Sequence, residues 1–253
     1  MLEIQNISNT YGDRKVLDNV SFSVEPGKLT GFVGGNGAGK TTTMRTILGV
    51  VKPYSGVVTI DGRPVVVTDR ARFAYMPEER GLYPKMKVKE QVTYFAELHG
   101  LSAREAAKNA DRFLGDLGLT ERINDNVEDL SLGNQQRAQI AASLAHEPEV
   151  LILDEPFSGL DPIAVDTVAQ VLQAGHYVIG GCQVVVAIGQ VQADAVVAFV
   201  VVGVVHQDIE HHAFEQLFAH GHLPLRMAQA QQDGGQGAVA FRQAGGSQRG
   251  FGR

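Results

Sequence analysis

Tryptophan is absent from this 253-residue chain, and cysteine occurs once, at Cys182. A single thiol excludes an internal disulfide framework and a thiolate zinc site, and it fits a reducing interior. Basic excess is missing too. The chain has 22 Lys+Arg against 28 Asp+Glu, a net charge of −6, so it lacks the positive field of a nucleic-acid binder. Long apolar runs are also lacking. The longest unbroken apolar-plus-glycine stretch, 195–205, is 11 residues, where a membrane-spanning helix needs about 20. The opening Met-Leu-Glu-Ile has no basic segment leading into an apolar one, so no secretory signal is expected. Against these absences stand 44% apolar and 20% charged residues. That is enough for a substantial core and too apolar for a chain disordered throughout. The length suits one large domain or two small ones.

The composition changes near residue 165. Residues 1–165 hold 18 Lys+Arg and 22 Asp+Glu, leaving 4 and 6 for residues 166–253, with no lysine among them. Glutamine goes the other way, from 5 to 13, and six of the eight histidines follow residue 165. Two explanations stand open: a variable region with its own composition, or a reading frame disturbed after Asp166. From residue 233 onward, glycine and glutamine without apolar periodicity read as a disordered tail. The Val196–Val202 run would form a strand, or an aggregation-prone segment if left unpaired. His206, His211 and His212 read as solvated surface residues, with metal binding the alternative.

Before the break, the patterning is that of an α/β chain. Leu2–Ile7 and Val20–Val24 alternate as half-buried strands do. Leu29–Val33 is a short apolar run leading into glycines and then a helix-compatible stretch from Lys40 to Leu48. Val57–Ile60 followed by Asp61-Gly62 reads as a strand entering a hairpin turn. Between Val88 and Ala145 the period becomes helical, and Ser102-Ala-Arg-Glu105 has the form of a capping box. Val150–Leu153 is a buried strand. Strands flanking an all-helical insert imply an α/β core with a helical subdomain.

Two motifs carry chemistry. Gly34-Gly-Asn36-Gly37-Ala38-Gly39-Lys40-Thr41 fits G-x-x-x-x-G-K-[ST] between a strand and a helix. Glycines let successive N–H groups curl around an anion, and the following helix adds its positive end. Lys40 is expected to reach the β- and γ-phosphates, Thr41 to ligate Mg²⁺, and Thr42 to share the cradle. The chain is therefore expected to bind a nucleoside triphosphate. The second motif is a hydrophobic strand ending in two acids. Asp154 is expected to hold Mg²⁺, and Glu155, at the strand's exit, to polarise an attacking water.

With these residues the chain resembles the ATP-binding cassette (ABC) superfamily. Leu130-Ser131-Leu132-Gly133-Asn134-Gln-Gln-Arg137 is similar to that family's signature motif, with Leu132 and Asn134 departing from its common form. The resemblance covers about residues 1–166 and implies a P-loop NTPase core with an antiparallel β subdomain and a helical subdomain. It further implies that Ser131 and the Gly133 N–H contact the γ-phosphate bound by a second copy of the domain. Tyr11 corresponds to the aromatic that stacks on adenine, and Ser158–Asp161 to the loop coupling two nucleotide sites. Glu78 stands where most members place a glutamine that touches Mg²⁺ and faces the membrane partner; an acid there can still hold Mg²⁺ or its water, and adds a charge near the γ-phosphate that bears on turnover. The wording around Glu78 is similar to bacterial sodium- and drug-exporter ATPases.

The layout so implied is an ABC-type nucleotide-binding domain over 1–165, with its helical subdomain near 88–146. A degenerate or divergent part would follow over 166–230, then a tail over 231–253. The expected activity is ATP hydrolysis with Mg²⁺, by a dimer sandwiching ATP at the inner face of the cell membrane. A separate transmembrane permease would be driven, and no nucleic acid bound. Two alternatives remain: an ATP-binding but catalytically defective protein with a disturbed C-terminal third, and a soluble regulatory module. The family's switch histidine has no counterpart after Ile188, where Gly189-Gln190-Val191 follow. Gln190 retains a hydrogen-bond donor.

Overall fold

The structure, a computed structural model, describes residues 1–26, 29–33, 37–178 and 183–188. Gly34, Gly35 and Asn36, the Val196–Val202 run, the histidines from His206 onward and the 231–253 tail lie outside the described residues.

An antiparallel sheet comes first. β1 (Leu2–Tyr11) pairs with β2 (Arg14–Val24) on one side and β4 (Ser55–Ile60) on the other, and β5 (Arg63–Pro64) continues from β4. Alternation puts Leu2 and Ile4 into the core, as a period of two requires of a sheet buried on one face. The expected alternation does not run on to Ile7: a register shift between Ile4 and Ile7, with Asn6 at φ 52, inserts an extra residue and so returns Ile7 to the buried face. Asp61 and Gly62 close the β4–β5 hairpin at φ 50 and 78. Those are the two left-handed positions a tight hairpin turn needs.

The second sheet is parallel. β3 (Leu29–Val33), β8 (Gln183–Ile188), β7 (Val150–Asp154) and β6 (Phe73–Met76) lie in that order. β7 is buried at every position, and its sequence accordingly runs apolar without alternation up to Asp154. Phe73, Val150 and Ile152 pack with the antiparallel sheet and with α1 (Lys40–Ile47). Their neighbours Ala74, Met76, Leu151 and Leu153 point the other way, into a cluster built by the helices.

Those helices are α2 (Val88–Leu98), α3 (Ala103–Asp116) and α4 (Leu132–Leu144). α3 opens on the expected capping box: Ser102 Oγ accepts the Glu105 N–H at 3.3 Å, and Glu105 Oε2 accepts the Ser102 N–H at 3.2 Å. Two orphan amides are satisfied reciprocally. α5 (Pro162–Val178) starts with Asp161 Oδ1 accepting the Ala164 N–H at 2.9 Å and with proline in its first turn, a favoured opening. It runs through the position where the composition changes and buries Val168 and Leu172 in the helical cluster. β8 then enters between β3 and β7, pairing with both. A segment from beyond the composition break thus joins the strand that precedes the glycine loop to the strand that ends in Asp154.

Candidate nucleotide-binding and catalytic site

The glycine loop is held by what surrounds it. Gly37 and Gly39 stand at φ 81 and 89, and α1 begins at Lys40. A Cβ on Gly39 would lie 2.7 Å from Leu17 Cδ2 and 2.8 Å from the Val16 carbonyl oxygen. Both the backbone angle and the close approach therefore require glycine there. A Cβ on Gly37 would stand 3.3 Å from Arg14 Nη2, which brings the β1–β2 hairpin against the loop. Tyr11 lies directly across that hairpin from Arg14 and is exposed. Arg14 thus stands between an exposed tyrosine, its partner across the hairpin, and the glycine loop at Gly37.

Of the other expected cradle residues, Ala38 is exposed and Lys40 buried. Thr42 is half-buried, and its carbonyl accepts the Thr46 hydroxyl at 2.8 Å.

Thr41 reaches across the fold. Its Oγ1 donates to Asp154 Oδ2 at 2.9 Å, joining the loop's helix to the end of β7. Asp154 is 2% exposed, and burial pushes its carboxyl up from the ordinary range. The Thr41 bond works against that, the Glu78 charge adds to it, and Lys40 and Arg45 oppose it. Lys40, Thr41, Glu78 and Asp154 therefore form one electrostatic cluster. Its members include a hydroxyl and carboxylates, which is the donor set that hard divalent cations take. Glu78 itself is exposed, on the segment following β6. Arg45, from the last turn of α1, also acts on Tyr75 of β6.

Glu155 follows directly on Asp154 at φ 53, in the left-handed region that a glutamate rarely adopts. Its carbonyl accepts the Ser158 N–H at 3.1 Å and Gln136 Nε2 at 3.1 Å. Ser131 and Gly133 open α4 instead. Ser131 is the exposed cap residue, whose Oγ accepts the Asn134 N–H at 3.3 Å. Gly133 is half-buried, and a Cβ there would meet the Gly159 carbonyl oxygen at 3.4 Å. Sequence reasoning passed over Gln136 and Arg45. Gln136 sits inside the motif, but its acceptors are backbone carbonyls, which leave no mark in the sequence.

Residues 17–158 match the model of a protein family described as ABC transporter. The chain belongs to the ABC transporter family. It is similar to the ABC transporter ATP-binding protein YhaQ of Bacillus subtilis (strain 168), 46% identical over 166 residues, covering 66% of this chain and 56% of that protein. The linearmycin resistance ATP-binding protein LnrL of the same organism is 37% identical over 186 residues, covering 71% and 60%. The chain therefore spans less than two thirds of the length of these relatives. Among solved structures, cbiO1 from Clostridium perfringens, part of the ABC transporter complex cbiONQ, superposes with a TM-score of 0.67 at 28% identity, covering 77% of this chain and 80% of that one. A bacterial ABC transporter cassette solved as a dimer gives 0.66 at 27% identity, covering 74% and 87%. The fold is that of the P-loop cassette these structures share, and ATP is what the family's ATP-binding domains bind. No helix among the described residues is long and apolar enough to cross a membrane.

Proposed function

We propose that this chain is the ATP-hydrolysing subunit of an ABC exporter, acting as a dimer on a separate membrane-spanning permease. The observation that carries this reading is the Thr41–Asp154 hydrogen bond at 2.9 Å. It ties the helix after the phosphate loop to the strand that delivers both acids.

In this reading the loop amides from Gly34 to Thr41 and the N-terminal end of α1 hold the polyphosphate. Lys40 neutralises the β- and γ-phosphates, and Tyr11 stacks on the adenine. Thr41, Asp154 and Glu78 would hold Mg²⁺ or its water, and the ion would supply positive charge against the phosphates. Glu155 orients and polarises the attacking water. Each Ser131, with the Gly133 N–H, faces the γ-phosphate held by the other subunit, where the N-terminal end of α4 favours an anion. The permease contacts the segment from Glu78 into α2. That segment shows exposed Tyr83 and Leu98, and Tyr83 stacks on Phe95 with ring centroids 6.2 Å apart.

Replacing Glu155 with glutamine removes the group that polarises water while sparing the binding residues. Glu155→Gln should accumulate as an ATP-bound dimer in size-exclusion chromatography with ATP and magnesium. A variant that binds ATP yet elutes only as monomer would refute the sandwich arrangement.

A second reading, ATP binding without turnover, draws on one observation: after Ile188 the next histidine in the sequence is His206. Loss of one donor aimed at the transition state costs about 10²–10³ in rate. Turnover at an ordinary rate of about 1–10 s⁻¹ would exclude it.

A further inference from the structure

Gln136 is 2% exposed and lies on α4 five residues beyond Ser131. Its Nε2 donates to two consecutive carbonyls, those of Glu155 and Pro156, both at 3.1 Å. The Glu155 carbonyl is bonded a second time by the Ser158 N–H at 3.1 Å. One turn nearer the start of α4, Gly133 rests on the same segment. A Cβ there would stand 3.4 Å from the Gly159 carbonyl oxygen and 3.6 Å from Leu160 Cδ2. The first two turns of α4 and the segment 155–160 are therefore fastened at two points.

This fastening matters because Glu155 stands at φ 53. A residue other than glycine stays in that region only where its surroundings over-determine it. The Cα–Cβ direction of Glu155 is set by its backbone angles, so whatever holds the carbonyl also sets where the side chain departs and which positions its carboxylate can reach.

We propose that Gln136 is a positioning residue: it holds the Glu155 backbone in its left-handed conformation and ties the aim of that carboxylate to the placement of Ser131. The inference rests on the ATPase reading and deepens it. Ser131 serves the partner's nucleotide while Glu155 serves its own, so a shift of α4 on engaging the partner's γ-phosphate is passed to Glu155 through Gln136. The two sites of a dimer then communicate within each subunit along a path of five residues of helix and one side chain. A side chain that merely satisfied two buried carbonyls would affect stability, and would leave turnover and binding linked.

Two substitutions in the full chain separate these roles. Gln136→Met keeps length and volume but removes the donor. It should lower kcat by about 10- to 100-fold, the size expected of a misaimed catalytic group. KM and calorimetric ATP affinity should stay within about twofold. Amide hydrogen exchange at Ser158 should speed up, with α4 amides beyond Ile140 unchanged. Gln136→Glu is isosteric, and its carboxyl donates only when protonated. Its kcat relative to the unsubstituted protein should therefore rise as pH falls from about 8 to 6. Unchanged kcat in Gln136→Met, or a parallel fall in kcat and ATP affinity, overturns the proposal, as does unaltered exchange at Ser158. If the unsubstituted chain binds ATP without turnover, it is the ATPase reading that fails. The exchange measurement still tests whether Gln136 holds the Glu155–Ser158 segment, and unaltered exchange would overturn that part by itself.

Discussion

Thr41 and Asp154 lie 113 positions apart in sequence and share a hydrogen bond of 2.9 Å. This contact closes the site, because it fixes the helix after the glycine loop against the strand that carries the acids. The hydroxyl favours the charged form of a carboxylate that burial pushes toward neutrality. Thr41→Val keeps the shape and removes the donor. It should weaken magnesium-dependent ATP binding at least about tenfold while leaving the melting temperature within a few degrees. Calorimetry with and without magnesium checks this; equal affinity in both variants would deny the pair its role.

Gly39 offers a steric test. With φ 89 and neighbours at 2.7 and 2.8 Å from any added Cβ, Gly39→Ala has no unstrained solution, since one of those neighbours is backbone. The loop must shift, and ATP binding should fall below detection in a chain whose circular dichroism shows it folded. Preserved affinity would mean the loop is held differently.

β8, one of the two inner strands of the parallel sheet, comes from the region of altered composition. Val185 pairs with Thr30 of β3 and Ile152 of β7. Proline in the middle of a strand bonded on both sides removes a ladder hydrogen bond and is barely tolerated. Val185→Pro should lose about 3 kcal/mol or more of stability in urea titrations. A variant as stable as the parent would show that the core holds without β8.

Much of this was legible in the sequence. The glycine loop, the acid-terminated strand and the α3 capping box all announce themselves, because each depends on residue types at fixed local spacing. Other features depend on partners far along the chain. Gln136 bonds to carbonyls 19 and 20 residues away, and a carbonyl has no residue identity. The left-handed backbone at Glu155 contradicts the residue's own preference, which local patterning reads as ordinary. The place of β8 between β3 and β7 rests on tertiary pairing, which no periodicity encodes.

A pH dependence follows from a stacked histidine pair. His99 and His146 lie ring on ring, centroids 3.6 Å apart and planes 13° from parallel. Burial, with His99 adding to it, pulls His146 down to about 4. In the unfolded chain a histidine takes up its proton near 6.5. Stability from the neutral ring is therefore complete above about pH 6.5 and is lost as pH falls toward 4, by at most about 1.4 kcal/mol per unit. Substitution of His146→Phe retains a ring against His99 and should flatten the decline in melting temperature between pH 6.5 and 4.5. An undiminished decline would place the acid sensitivity elsewhere.

In the proposed function the 34–41 motif, with Lys40, binds the polyphosphate of ATP. Titration calorimetry of the folded chain with magnesium and ATP tests it most directly, with Lys40→Ala in parallel. The expected result is saturable heat for the unsubstituted chain and none for the variant. Absence of heat from the unsubstituted chain, or equal heat from both, would contradict it.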